Sequence, residues 1–343
     1  MEEILIIGSG SWGTTLALML SQKGYRTYIW SFEEDVADEI NQYGTNKKFI
    51  GNYTFTAGSI HAFGTKKINE ISEIIKPYLL IFAVPSKFVR NVALDLKNFF
   101  EKSCSETFAV VSAAKGIENK TNLRISQILK AVLPVNLKDK IAALSGPNIS
   151  SEILKKLPSV STISSENKKI LNTLQEIFSN DYFRVYTNDD IVGVELCGAL
   201  KNIIAIAAGI SDGMGYASNT KASLITRGLC ELERFGKKYG ARSRTFAGIA
   251  GMGDLITTCI SNASRNRLVG ERLAKGEDIN TIKNSMNMIA EGIETTKAVY
   301  EMSEKIKVEL PIIKCVYDII YKNENVEKSV AYLMKRSFKS EYY

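Results

Sequence analysis

The apolar run ILII at residues 4–7 leads straight into GSGSWG, Gly8 to Gly13, and then into TTLALMLSQKG, a helical pattern that closes on Gly24. Strand, glycine loop and helix in that order form the context in which G-x-G-x-x-G has physical meaning. Gly8 permits the tight turn, Gly10 lets backbone approach a pyrophosphate, and Gly13 lets helix and strand pack closely. The N–H groups and positive dipole end of the helix, at Ser11, Trp12 and Gly13, then face phosphates. A second apolar run at Thr27 to Trp30 supplies the next strand. A chain that begins this way is constrained to a βαβ unit, and so to a parallel sheet.

The same alternation continues through LLIFAVP (79–85), FAVVSAAKG (108–116), IAALSGP (141–147) and SVSTIS (159–164). Short apolar runs without polar alternation fit strands buried on both faces of a parallel sheet. From about Asp189 the pattern changes to helical spacing, as in VELCGALKNIIAIAAGI and ASLITRGLCELERFGKKYG. The expected fold is α/β: a Rossmann-type, mostly parallel sheet with helices on both faces over residues 1–187, then an all-helical domain over 188–343.

Composition narrows the chemistry. With one histidine, His61, in a polar, glycine-flanked stretch, no two-histidine metal motif and no Ser-His-Asp triad can be assembled without it. No metal site is expected, and proton transfer must fall to Lys, Asp, Glu, Tyr or Cys. The formal charge of +7 is spread out, with 22 basic and 19 acidic residues from 188 onward, so a nucleic-acid-binding arm is not expected. The five cysteines are far apart, form no C-x-x-C pair, and read as free thiols of a cytoplasmic protein. The most apolar stretch, IIAIAAGI at 203–210, is shorter than the roughly 20 residues of a membrane span, so none is expected.

In dinucleotide folds the residue about 20 positions past the glycine loop meets the adenosine ribose, acidic for NAD and basic for NADP. Here WSFEED supplies Glu33, Glu34 and Asp35 with no basic neighbour, which favours NAD, although the same carboxylates could cap the following helix. Lys201, inside ELCGALKNIIAIAAGI, is an ammonium in a nearly all-apolar segment. It either snorkels to the surface or needs a partner, a solvated cleft or a depressed pKa, which makes it the leading acid-base candidate. Lys115 ends a strand next to Gly116, and Asp254 sits among the small residues of GMGDLITTC. Ser264, Arg265 and Asn266 resemble a capped helix start with a guanidinium in its first turn, which suits a phosphate, while a solvated basic loop has the same composition.

Taken in order, GSGSWGTTLA, FAVPS, SAAKGIE, SGPN, ELCGALKNIIAIAAGISDGMG, ASLITRGL, GMGDLITTC, SRNRLVG and AEGIETT run over nearly the whole chain, which through them resembles the soluble NAD-dependent glycerol-3-phosphate dehydrogenases. The resemblance implies reduction of dihydroxyacetone phosphate to sn-glycerol 3-phosphate for glycerophospholipid synthesis, by a cytoplasmic homodimer using NAD, with NADP as a possible alternative. It implies that Lys201 is the general acid and base, held with the substrate oxygen by Asp254 and Lys115. Gly146, Asn148, Asn202, Ser264, Arg265 and Asn266 fall where the family binds substrate. Gly8, Gly10, Ser11, Trp12, Gly13, Phe32, Phe88, Lys115, Ser150, Arg265, Ile289 and Glu291 fall where it contacts the cofactor. Bacterial members mostly carry serine in place of Asn148 and alanine in place of Ser150, and many NADP-using members carry arginine near Phe32. A dehydrogenase of related fold acting on a hydroxy acid would need a carboxylate-binding arrangement in place of the SRN loop. A catalytically silent NAD sensor would not need Lys201 and Asp254.

Overall fold

A computed structural model describes residues 2–65, 71, 74–286 and 288–341. It divides into two compact units, Met1–Gly116 with Leu123–Glu195, and Ile117–Asn122 with Leu196–Tyr343.

The first unit is built on an eight-stranded sheet of order β3-β2-β1-β4-β5-β6-β7-β8. The strands are β1 (Glu3–Ile7), β2 (Arg26–Trp30), β3 (His61–Phe63), β4 (Leu79–Phe82), β5 (Ala109–Ser112), β6 (Ile141–Ser145), β7 (Ser159–Ser165) and β8 (Phe183–Asn188). Its described helices are α1 (Ser11–Gln22), α2 (Glu34–Tyr43), α3 (Lys47–Ile50), α4 (Val89–Asp95), α5 (Lys97–Ser103), α6 (Ile125–Val132), α7 (Ser150–Leu154) and α8 (Leu171–Phe178). Successive side chains of β1 serve opposite faces. Ile4 and Ile6 pack with Leu16, Ile40 and Leu174, whereas Leu5 and Ile7 pack with Val89, Phe100 and Ile128. A sheet covered on both faces by helices follows, with β1 and β4 adjacent where the strand order reverses, the place where such sheets bind ligands.

Two strands lie outside the apolar runs of the sequence. β3 has three residues and places exposed His61 beside Tyr28 of β2 at one edge. β8, FRVYTN, alternates buried and exposed positions at the other edge. One direction also departs from expectation: β7 pairs antiparallel with β6, so the β7–β8 pair runs against the rest.

The second unit is helical. It takes the larger part of α9 (Ile191–Gly213), followed by α10 (Ser218–Lys238), α11 (Ser243–Phe246), α12 (Asp254–Ile260), α13 (Arg265–Ala274), α14 (Ile279–Ser285), α15 (Glu291–Lys305), α16 (Pro311–Lys322) and α17 (Val326–Met334). The sequence argument that no stretch is long enough to span a membrane fails on α9, whose 23 residues are long and apolar enough to do so. What distinguishes it is burial, since 94% of its apolar window is covered by protein.

α16 begins at Pro311, whose missing N–H costs nothing at a helix start. The next two amides, of Ile312 and Ile313, donate to the two carboxylate oxygens of buried Glu231 at 2.8 and 3.1 Å. Burial pushes this carboxyl up from 4.5 to about 7, against the pull of those two amides and of the Arg234 and Arg336 charges. The folded value exceeds the unfolded one, so the contribution of Glu231 to stability is full below about pH 4.5 and is lost as pH rises through about 7. Glu231→Gln cannot ionise, and its melting temperature is expected to fall less than that of wild type between about pH 5 and pH 8. Parallel melting curves for the two proteins would dismiss this titration as a term in stability.

Candidate functional site

In the first unit the glycine loop is shaped by close approach. Gly8 has φ +121°, and a Cβ there would lie 2.9 Å from the backbone of Ala83 and Val84 on the loop after β4. A Cβ on Gly13 would overlap the carbonyl oxygen of Gly8. A Cβ on Gly10 would meet nothing within 4 Å, which is the open approach that a pyrophosphate needs. The N-cap of α1 is Gly10, which has no side chain to cap the helix, so its N-terminal dipole faces an incoming anion. The loop is braced from outside. Buried Asn46 donates through Nδ2 to the Ser9 carbonyl at 2.8 Å and to Thr14 Oγ1 at 2.9 Å, and Ser11 Oγ donates to the Phe49 carbonyl at 2.9 Å.

The expected adenosine end departs from the sequence reading. Phe32 projects from the end of β2 with 72% of its surface exposed, a flat apolar face with room for a base. Glu34 accepts from Thr65 Oγ1 at 3.0 Å, and Glu34 and Asp35 lie in the first turn of α2, so these two carboxylates serve the helix start. Glu33 is ion-paired with Lys48 at 2.9 Å. The end of β2 therefore does have a basic neighbour. It arrives from α3, 15 residues along the chain, where linear spacing cannot reveal it.

Lys115 donates to the Gly146 carbonyl at 2.9 Å, which joins the ends of β5 and β6. Two residues on, Asn148 donates to Ser161 Oγ at 3.1 Å, while its Oδ1 is buried with no hydrogen-bond partner among the described residues. A buried acceptor in that state loses hydration without return and fits a site completed by a ligand donor. Ser150 opens α7, and Phe88 lies beneath the Lys87 ammonium at 4.8 Å. These features fit a bound dinucleotide.

In the second unit most of the remaining residues fall into small hydrogen-bonded groups. Lys201 is 7% exposed on α9, and its ammonium donates to the carboxylate of Asp254, itself 1% exposed, and to Thr258 Oγ1 at 2.7 Å. Of the two readings of this lysine, the structure excludes snorkelling. A π-helical turn, Ile249–Gly253, delivers Asp254 to the start of α12, and Thr258 donates back to the Asp254 carbonyl at 2.6 Å. Thr258 was missed in the sequence. Its signal was available, because residues four apart share a helix face.

Asn266 donates through Nδ2 to Asn202 Oδ1 at 3.0 Å and accepts from the Gly292 amide at 2.9 Å. The backbone donor fixes which end of the Asn266 amide is oxygen, and that in turn commits Asn202 to offering a donor from its other end. Ser264 caps α13 by accepting from the Arg267 amide at 3.2 Å. Arg265 in the first turn donates to the Ile289 carbonyl at 2.9 Å, and Glu291 starts α15. Arg265 and Ile289, 24 residues apart in the sequence, are thus brought together. Arg267 binds Asp212 at 2.6 Å and Glu271 at 2.7 Å, tying α13 to the helix that carries Lys201.

Comparison with known proteins identifies relatives over both units. The family models for the N-terminus and the C-terminus of NAD-dependent glycerol-3-phosphate dehydrogenase match residues 3–171 and 190–331. Glycerol-3-phosphate dehydrogenase [NAD(P)+] of Syntrophotalea carbinolica is 42% identical over 336 residues, 98% of each chain. That of Bacillus cytotoxicus is 42% identical over 341 residues, covering 99% of this chain and 97% of the relative. The crystal structure of glycerol-3-phosphate dehydrogenase from Coxiella burnetii superposes with a TM-score of 0.88 at 33% identity, covering 98% of this chain and 99% of that one.

Proposed function

Because the chain belongs to the NAD-dependent glycerol-3-phosphate dehydrogenase family, we infer that its first unit holds the dinucleotide and its second supplies the proton and the phosphate-binding groups. The protein is an NAD(P)-dependent oxidoreductase that interconverts dihydroxyacetone phosphate and sn-glycerol 3-phosphate. The nicotinamide, when bound, supplies or accepts the hydride. Gly8, Gly10, Ser11, Trp12 and Gly13 cradle the phosphates, while Phe32, Phe88, Ser150, Ile289 and Glu291 hold the rest of the cofactor.

Lys201 is assigned the proton. Carbonyl reduction builds negative charge on oxygen, and a buried ammonium supplies both charge and proton there. Asp254 and Thr258 keep that ammonium in one orientation. Lys115, Gly146, Asn148 and Asn202 position the substrate, and Ser264, Arg265 and Asn266 hold its phosphate. The observation that carries this reading is Lys201 itself, a cation sunk in an apolar helix and held by a carboxylate from another. We further propose that the enzyme acts in the cytoplasm as a homodimer, and that its product supplies glycerophospholipid synthesis. The five free thiols support a reducing compartment.

The test is NADH oxidation on addition of dihydroxyacetone phosphate, repeated with NADPH. Turnover with this ketone, competitively inhibited by inorganic phosphate, is expected. Turnover of 3-hydroxy acids, with no inhibition by phosphate or glycerol phosphate, would overturn the assignment of the substrate groups.

A further inference from the structure

We propose that the Lys48–Glu33 pair sets the choice between NAD and NADP: Lys48 receives the 2′-phosphate of NADP, and Glu33 accepts the free 2′-hydroxyl of NAD. The proposal rests on the glycine loop being the dinucleotide site, as read above.

In folds of this kind the ribose of the adenosine lies past the end of the second strand, and the side chains there meet its 2′ substituent. β2 ends at Trp30, and Glu33 lies just beyond it. Of the carboxylates in the run, Glu34 is engaged with Thr65. Glu33 meets an ammonium instead, and the geometry that brings Lys48 there is built into the glycine loop. Asn46 is fully buried and bonded to Ser9 and Thr14, Ser11 is bonded to the carbonyl of Phe49, and the Lys47 amide donates to Glu39 at 3.1 Å. α3 is therefore pinned to the segment that would hold the pyrophosphate, and Lys48 is carried on that base. Its ammonium also lies 5.2 Å from the Phe49 ring centre.

The charges make the pair a selector rather than a lock. Both partners are partly exposed, at 46% and 30% of their side-chain surface, so screening keeps their mutual attraction small and either can be drawn to a ligand. A 2′-hydroxyl brings a neutral donor that only the carboxylate can accept. A 2′-phosphate brings up to two negative charges, which Glu33 repels and Lys48 attracts. The two cofactors are thus read by opposite members of one pair. That explains how a site with three acidic residues past β2 can still accept NADP, and why the preference it sets should be modest.

The experiment measures dissociation constants of NADH and NADPH by cofactor fluorescence, without substrate, for wild type, Lys48→Ala, Lys48→Arg and Glu33→Gln. The readout is the ratio of the NADPH constant to the NADH constant, which a general loosening of α3 would leave unchanged. Lys48→Ala is expected to raise it about tenfold or more, the size of one charge-assisted bond. Lys48→Arg should restore it to near the wild-type value, and Glu33→Gln should lower it several-fold. A ratio unmoved by Lys48→Ala, or moved equally by Lys48→Arg, overturns the assignment. Failure of the wild type to bind either dinucleotide overturns the underlying site as well, and is distinguished because the absolute constants are read directly.

Discussion

Lys201→Ala is expected to lower turnover of dihydroxyacetone phosphate by about 10² to 10⁴ while the NADH dissociation constant changes by less than about twofold. The size follows from removing a general acid from the transition state, and the selectivity from the cofactor groups lying elsewhere in the chain. A buried ion pair complicates the result, however. Removing Lys201 leaves Asp254, 1% exposed, as a charge without its cation, a change that costs about 3 to 5 kcal/mol where such pairs have been broken. Loss of activity could then follow from loss of structure. The double variant Lys201→Met, Asp254→Asn separates the two effects, because it removes both charges and keeps the volume. Its melting temperature should recover most of what Lys201→Met alone loses, and its turnover should not recover. Recovery of turnover together with stability would take the proton away from Lys201.

How far such a pair can be read from sequence depends on what the sequence encodes locally. Lys201 is conspicuous because the residues around it are apolar on almost every face, and burial of an ammonium demands a partner wherever it occurs. The identity of that partner is a tertiary fact, fixed by α12 packing against α9. Asp254 could be singled out only through the small residues before it, and Thr258 only by helical spacing from Asp254. The glycine loop was legible for a different reason: three residues each answer a steric demand within a few ångströms, and the strand and helix on either side are contiguous in the chain.

The sheet shows the same division. Strands β1, β2 and β4 to β6 are mainly apolar because both faces are covered, and β7 is a largely buried run of serine and threonine around Val160 and Ile163, whereas β8 is an edge with one wet face and β3 has only three residues, so neither of these two carries the signature of a covered strand. The reversed direction of β7 had no signal at all, since a strand buried on both faces reads the same in either direction. Lys48 is the extreme case. Nothing in NKKF indicates that its second lysine will sit beside Glu33; the buried amide of Asn46, two residues earlier, is what places it.

Arg265→Ala is expected to raise the Michaelis constant for dihydroxyacetone phosphate by about 10- to 100-fold, since a charge-assisted bond is worth roughly 1.5 to 3 kcal/mol. The groups around it explain why its loss is not made good by neighbours. Ser264 Oγ, which accepts from the Arg267 amide, and Asn266 Nδ2, which donates to Asn202, each keep one hydrogen to donate to a phosphate, but neither carries a charge. The guanidinium is also tethered, through the Ile289 carbonyl, to the segment before α15. Arg265→Lys keeps the charge but not the fork, and should fall between wild type and alanine. The division of the effect between kcat and KM is informative in itself. A phosphate remote from the reacting carbonyl can contribute binding energy that appears only when the ketone is correctly oriented. If Arg265 merely anchors, KM alone rises; if its bond is used for orientation, kcat falls with it. In either case inhibition by inorganic phosphate should weaken in parallel with substrate binding. Unchanged phosphate inhibition, with an unchanged Michaelis constant, would place the phosphate somewhere other than the start of α13.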